Sequence, residues 1–275
     1  MGVQKITQYS QYQEIVVQYR RSGCMVNDYI LGEAGILSAD GRLYAMCGVN
    51  NAVLLVKKPV GMRVYYYIND FDEEIELSDG DYVLEILYRE ALGVPNQEID
   101  YWEKQGFGKN RVRDQYVCMN RDVTDIVLAG EIEIESAATL DEVAAACHLF
   151  NASFDHLSGN YIDEEEFPKL LAETQILVAR GHVGEFLGAL HHQKCGKVSW
   201  LHHLAVDEKS RGKGVGEGLC RRWMDQEGMS GALRYMLWVQ RQNLSAVSLY
   251  KKLGFKYNGK SSLSLIKRRN NGKTA

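Results

Sequence analysis

Three glycines at alternate positions, 212, 214 and 216, constrain the fold of this 275-residue chain more than any other feature. They close the segment Leu204-Ala-Val-Asp-Glu-Lys-Ser-Arg211-Gly212-Lys213-Gly214-Val215-Gly216, where an apolar strand pattern gives way through polar residues to a helical one. Residues without Cβ atoms let the backbone approach a ligand closely. The first-turn N–H groups of a helix lack intrahelical partners and favour an anion. Arg211 and Lys213 add positive charge at the rim. In chemical terms the segment reads as a pyrophosphate cradle, set in a strand–turn–helix unit.

Two familiar phosphate loops do not fit. The dinucleotide fingerprint G-x-G-x-x-G fails because Glu217 or Leu219 stands where its third glycine is required. A literal G-x-x-x-x-G-K-S does occur from Gly254 to Ser261. The alternating residues after it read as a strand, however, and the required helix has no room.

The rest of the chain sets the frame. Apolar residues make up 45% and charged residues 25%, an ordinary globular balance, with length enough for two domains. A net charge of −4 argues against a general nucleic-acid or anionic-membrane binder, and no apolar run approaches a membrane span. The N-terminal residues show no secretory pattern. Six cysteines without any C-x-x-C spacing read as free thiols in a reducing cytoplasm. Twelve of the sixteen tyrosines precede residue 117, whereas all seven histidines lie at 148 or later. That asymmetry suggests two domains, 1–128 and 129–275, with a boundary near Asp125 to Gly130.

Helices are expected at Leu140–Phe150, from Asp163 to Ala172, at Gly216–Glu227 and at Ala246–Leu253. Strands are expected at Gln175–Arg180, Glu185–His192, Lys197–Val206 and Tyr235–Gln240, and again after Phe255. The first half gives a looser echo, with a helix at Ser10–Arg21, a strand at Asp28–Ile36, four more strands to Tyr88 and a helix at Asn96–Gln105. Tyr101-Trp102-Glu103-Lys104-Gln105-Gly106-Phe107 parallels Leu249-Tyr250-Lys251-Lys252-Leu253-Gly254-Phe255 at an offset of 148 residues. An internal duplication is the natural reading.

Arg211-Gly-Lys-Gly-Val-Gly216 resembles the Arg/Gln-x-x-Gly-x-Gly/Ala signature of the GNAT acyl-CoA N-acyltransferase superfamily. Leu204-Ala205-Val206 looks like that family's fourth strand, and Asn243 with Leu249–Phe255 resembles its second conserved block. The resemblance covers about Ile132 to Lys267. It implies an α/β (α+β) fold of two GNAT-like domains, each a mixed, mostly antiparallel central sheet flanked by helices. It implies acetyl-CoA as cosubstrate. Leu204, Ala205 and Val206 would hold the pantetheine arm, Arg211, Gly212, Lys213, Gly214, Val215 and Gly216 the pyrophosphate, with Asn243 beside the cofactor and Tyr250 near the thioester sulfur. The acceptor would be an amine of a small molecule or peptide, or the chain would bind CoA without turnover, or use a longer acyl or aminoacyl donor. Between Arg63 and Tyr88 the first half lacks the glycine signature and carries Asp70, Asp72, Glu73 and Glu74, and Trp102 stands in place of Tyr250. A degenerate scaffold copy is expected there.

Thioester aminolysis needs a base for the amine and an acid for the thiolate. Tyr250 suits the acid role. Strand alternation places His202 beside Leu204 and Val206 and His203 on the other face, which makes His202 the expected base, as in the similar arylalkylamine N-acetyltransferases. A bulge would exchange the two. Glu185 and His192 could act through water. Alternation also predicts that only one histidine of each His-His pair shares a site, too few for zinc, so no metal is expected. The acidic run from Asp155 to Glu166 reads first as a solvated helix start, and second as part of an acceptor site.

Overall fold

The computed structural model describes residues 2–28, 32–120 and 132–269. The chain forms two compact units, Met1–Arg111 with Ser262–Ala275, and Val112–Ser261. The grouping is not linear in sequence: the end of the chain from Ser262, expected with the second half, packs within the first unit. The expected boundary at 125–130 lies outside the described residues.

The first unit contains β1 (Gln4–Ile6), α1 (Tyr9–Tyr19), β2 (Met25–Asn27), α2 (Ala34–Ala39), β3 (Leu43–Cys47), β4 (Ala52–Lys57), β5 (Met62–Ile68), β6 (Tyr82–Arg89), α3 (Asn96–Lys104) and the start of β7 (Gly108–Met119). Its strands lie in the order β1-β3-β4-β5-β6, antiparallel except for the parallel β5–β6 pair. The described residues of the strand expected at Asp28–Ile36 hold no strand: β2 ends at Asn27 and Ala34–Ile36 open α2, while residues 29–31 lie outside the described residues. Ala34 and Leu37 of α2 are buried and Ile36 between them is 66% exposed, a helical rather than a period-two pattern.

The second unit continues β7 and adds β8 (Glu133–Ser136), α4 (Leu140–Ser153), α5 (Phe167–Ala172), β9 (Ile176–Arg180), β10 (Phe186–Cys195), β11 (Val198–Val206), α6 (Val215–Met229), β12 (Arg234–Gln240), α7 (Leu244–Lys252) and the first half of β13 (Lys256–Lys267). Strand order is β13-β7-β12-β11-β10-β9-β8, and from β7 to β8 only the β11–β12 pair is parallel among the described residues. This is the mixed, mostly antiparallel sheet flanked by helices that the sequence leads one to expect. One face packs on α6 and α7, with Leu190, Leu201 and Leu237 against Leu219, Trp223, Tyr250 and Leu253. The other packs on α4 and α5, with Val178, Ala189 and Ala205 against Val143, Phe150, Phe167 and Leu170.

Local chemistry explains the helix starts. Thr139 Oγ1 accepts from the Glu142 amide at 3.3 Å, and Glu142 Oε2 accepts from the Ala138 amide at 2.7 Å. The Asp163 and Glu166 side chains form a second capping box ahead of α5.

Gly188 makes β10 and β11 approach unusually closely, since a Cβ there would lie 2.7 Å from the Ala205 carbonyl oxygen and 3.0 Å from Val206 Cα. Both contacts are backbone and neither can swing away. Gly188→Ala is therefore expected to cost about 1–3 kcal/mol, the ordinary range for overpacking. Thermal unfolding should register a drop of about 2–4 °C per kcal/mol; an unchanged midpoint would show that the two strands separate freely at this point.

Candidate active site

The site begins at an irregularity in β11. His203 pairs with His191 of β10, but Leu201 pairs with His192, so His202 is an extra residue without a cross-strand partner. This is a β-bulge. On the opposite edge the parallel ladder with β12 runs from Val198/Arg234 to Leu201/Leu237 and stops there. Both strands continue, held by their outer neighbours: β11 pairs with β10 as far as Val206/Gly188, and β12 pairs with β7 as far as Gln240/Arg113. From His202 onward β11 and β12 therefore part, leaving Leu204–Val206 with an edge that β12 does not cover.

The bulge resets alternation, and here the structure corrects the sequence reading. Leu201 faces the α6 side, and so do Leu204 and Val206, three and five residues later. His202 does not join them as a regular strand would require. Its ring centroid lies 4.9 Å from that of His191, and His191 Nδ1 is 3.2 Å from His203 Nδ1. Both histidines of the β11 pair thus reach His191, contrary to the expectation that only one could share a site. His192 behaves as alternation requires: it is buried toward α6, with Nδ1 3.1 Å from Glu227 Oε1. Glu185 closes the turn before β10, where Oε2 accepts from the Val183 amide at 3.2 Å.

His203 is fixed on several sides. Phe150 and Phe154 flank its ring at 5.2 and 5.3 Å, and Nε2 bonds the Gly159 carbonyl at 3.0 Å. The loop carrying that carbonyl is tightly built. Asp155 Oδ1 accepts from the Ser158 amide at 2.8 Å, Arg113 donates to the Ser158 carbonyl, and a Cβ on Gly159 would sit 2.3 Å from the Asp155 carbonyl oxygen. Gly159, Arg113 and His191 were not singled out by sequence.

The cradle forms where the strands part. Gly212 and Gly214 hold φ of +76° and +84°, the left-handed region that favours glycine, and a Cβ at either meets nothing within 4 Å. Glycine is needed here for backbone direction, and the space in front is open. Gly214 caps α6 and has no side chain to satisfy the helix N–H groups. Gly216 differs, since its Cβ position lies 3.6 Å from both Val206 and Leu249 and seats the helix on β11 and α7. Glu217 is the one acidic residue in the first turn of α6, and Lys252 at 2.6 Å and Arg221 at 2.9 Å neutralise it and hold its carboxyl below the usual range. Arg211 and Lys213 are exposed beside it, and Arg211 Nε donates to the Val206 carbonyl at 3.3 Å.

Tyr250 is 5% exposed, and its hydroxyl makes no hydrogen bond among the described residues. Burial, then the nearby Cys220 thiol, push its phenol well above the ordinary range, so it keeps its proton. Asn243 Oδ1 caps α7, accepting from the Ala246 amide at 3.2 Å. The corresponding region of the first unit has no cradle. Between β5 and β6 the described residues form no helix, and the Glu73 carboxylate accepts from the Val49, Asn50 and Asn51 amides at 2.7–2.9 Å. Trp102, at the place of Tyr250, is fully buried against Tyr66, Tyr101 and Phe107.

Comparison with known proteins agrees with the fold of the second unit. Residues 172–257 match the family model of the acetyltransferase (GNAT) domain. The core of the second unit is a GNAT domain. A 55-residue stretch, a fifth of this chain and 22% of its relative, is 44% identical to an uncharacterized N-acetyltransferase, YobR, of Bacillus subtilis (strain 168). A GCN5-related N-acetyltransferase from Sphaerobacter thermophilus has a similar fold, with a TM-score of 0.60 at 15% identity over 86% of this chain and 80% of that one. A tandem GNAT protein of the clavulanic acid biosynthesis pathway has a TM-score of 0.53 at 9% identity, covering 84% of each chain.

The electrostatics of the imidazole group give a testable pH dependence. His202 keeps solvent access while protein surrounds it on most sides, and burial, then His203 and His192, lower its pKa to about 4. An unfolded histidine titrates near 6.5, so the native state refuses a proton that the unfolded chain accepts. The stability tied to His202 is full above about pH 6.5 and is lost as pH falls toward 4. The loss in unfolding midpoint between about pH 7.5 and pH 5 should be smaller in His202→Gln than in the wild type. Equal losses would show that the ring titrates normally.

Proposed function

We propose that the second unit is an N-acetyltransferase that moves an acetyl group from acetyl-CoA to a primary amine of a small molecule or protein. The observation that carries this is the coincidence of two features in one GNAT domain: β11 parts from β12 at His202, and the uncapped N-terminus of α6 opens beside the same strand end. Acetyl-CoA, once bound, supplies an acetyl group activated as a thioester. The residues present fit it. Amides of Arg211, Gly212, Lys213, Gly214, Val215 and Gly216 face a diphosphate, and hydrogen bonds to a charged group are worth about 1.5–3 kcal/mol each. Leu204, Ala205 and Val206 offer the strand edge that can bond the amides of a pantetheine arm, with Asn243 at the start of the neighbouring helix.

The imidazole group at the bulge, with His202 its most exposed member, accepts the proton of the incoming amine. Tyr250, protonated at neutral pH because burial raises its pKa, donates a proton to the departing thiolate. We read the first unit as a degenerate scaffold copy, and the chain as cytoplasmic, all six cysteines being unbridged.

Two outcomes follow from this reading. Calorimetric titration should give one equivalent of acetyl-CoA per chain, and Gly214→Asp, which adds a like charge in front of the diphosphate, should abolish the signal; two equivalents, or unchanged affinity in the variant, would overturn the cradle. Tyr250→Phe should lower turnover about a hundredfold or more with acetyl-CoA affinity kept. A variant as active as the parent would make Tyr250 a core residue only.

A further inference from the structure

The bulge at His202 gives the neighbouring His191 a definite tautomer. Gly159 offers His203 a carbonyl oxygen, which can only accept, so the hydrogen on His203 sits at Nε2. In the neutral ring Nδ1 then carries a lone pair. His191 Nδ1 lies 3.2 Å from that lone pair, and must therefore carry the hydrogen. By elimination Nε2 of neutral His191 is an acceptor. The chain of bonds ends at a carbonyl that cannot take up a proton, so it serves to orient rather than to conduct. His202, in contrast, makes no hydrogen bond among the described residues that would choose its tautomer or turn its ring.

We propose that His203 is a positioning residue that locks His191 as its Nδ1–H tautomer, and that His191 Nε2, rather than His202, takes the proton of the acceptor amine. The inference rests on the acetyltransferase reading above. In the step, the ammonium N–H bond breaks, its electron pair stays on nitrogen, an Nε2–H bond forms on His191, and water later removes that proton. The arrangement parallels the way a fixed partner on one ring nitrogen sets the role of the other in catalytic and metal-binding histidines. The imidazoles of His202 and His203 on β11 face His191, His192 acts on it from the opposite face of its own strand, and Arg113 lies near His203. Burial first, then these neighbours, keep His191 well below the ordinary histidine range, and burial likewise lowers His203, so both rings are neutral at neutral pH.

The test has a readout that does not depend on turnover. Long-range proton–nitrogen NMR spectra of the 15N-histidine-labelled protein, assigned with His191→Gln, should show His191 as Nδ1–H and His203 as Nε2–H near neutral pH. His203→Phe keeps an aromatic ring between Phe150 and Phe154 but cannot accept, and should return His191 to the Nε2–H form. In parallel, His191→Gln should remove the acid limb of the kcat/KM profile and lower kcat/KM about a hundredfold. His202→Gln should retain that limb, and acetyl-CoA affinity should stay within twofold in both variants. An Nε2–H His191 in an active wild-type protein, or an acid limb that survives His191→Gln, overturns this inference alone. A wild type that acetylates no amine of a broad panel overturns the base role together with the transfer reading, while the spectra still decide the lock.

Discussion

Backbone pairing that stops at Leu201 of β11 is the constraint on which the site depends. A sheet satisfies its interior N–H and C=O groups by continuing its ladders, and leaving buried groups unpaired costs about 1–3 kcal/mol each. Here both β11 and β12 run past the end of their shared ladder, so the gap is held open by their outer neighbours rather than by local disorder. The extra residue at His202 supplies the bend, and bulges raise local twist in this way. An exposed strand edge inside a sheet is a standing invitation to a ligand that carries amides of its own.

The same event organises the chemistry on either side. Facing α6, it turns Leu204 and Val206 under Gly216, which seats the helix N-terminus at the mouth of the gap. Facing α4, it gathers His191, His202 and His203 into one group beneath the loop that ends at Gly159. A regular strand would have divided the histidines between the faces. The first unit repeats the parallel pair, as β5–β6, without the helix that follows β11. Its Glu73 carboxylate takes up the backbone amides of Val49, Asn50 and Asn51, using a side chain from within to satisfy its own loop.

Much of this was legible in the sequence because it is local. Gly212 and Gly214 announce left-handed turns, Thr139 and Glu142 announce a helix start, and period-two runs mark β10 and β11. Leu140–Ser153 runs past its expected end at Phe150, and Leu244–Lys252 starts before Ala246 and stops before Leu253, shifts of a turn or less as end effects give. What the sequence hid is non-local. A bulge is set by register between two strands, so nothing around His202 revealed that it breaks alternation. The importance of His191 depends on a carbonyl 32 residues upstream, at Gly159. Ile36 looked like part of a strand because β-branched residues favour one, and only its neighbours' burial shows the helix. The passage of Ser262 and its successors to the first unit follows contacts such as Ser262 with Glu85 and Lys267 Nζ with the Gln105 carbonyl at 3.2 Å, which no local pattern encodes.

The central claim is that the parted strands and the α6 N-terminus form one binding surface for CoA. Backbone amide NMR of the full chain, with CoA added in steps, tests it most directly. The account predicts that the amides of Leu204, Val206 and the stretch from Gly212 to Gly216 shift together at one saturation point, while those of Asp70 to Asp81 stay in place. Shifts confined to the first unit, or movement of the glycine turn without the β11 edge, would contradict it.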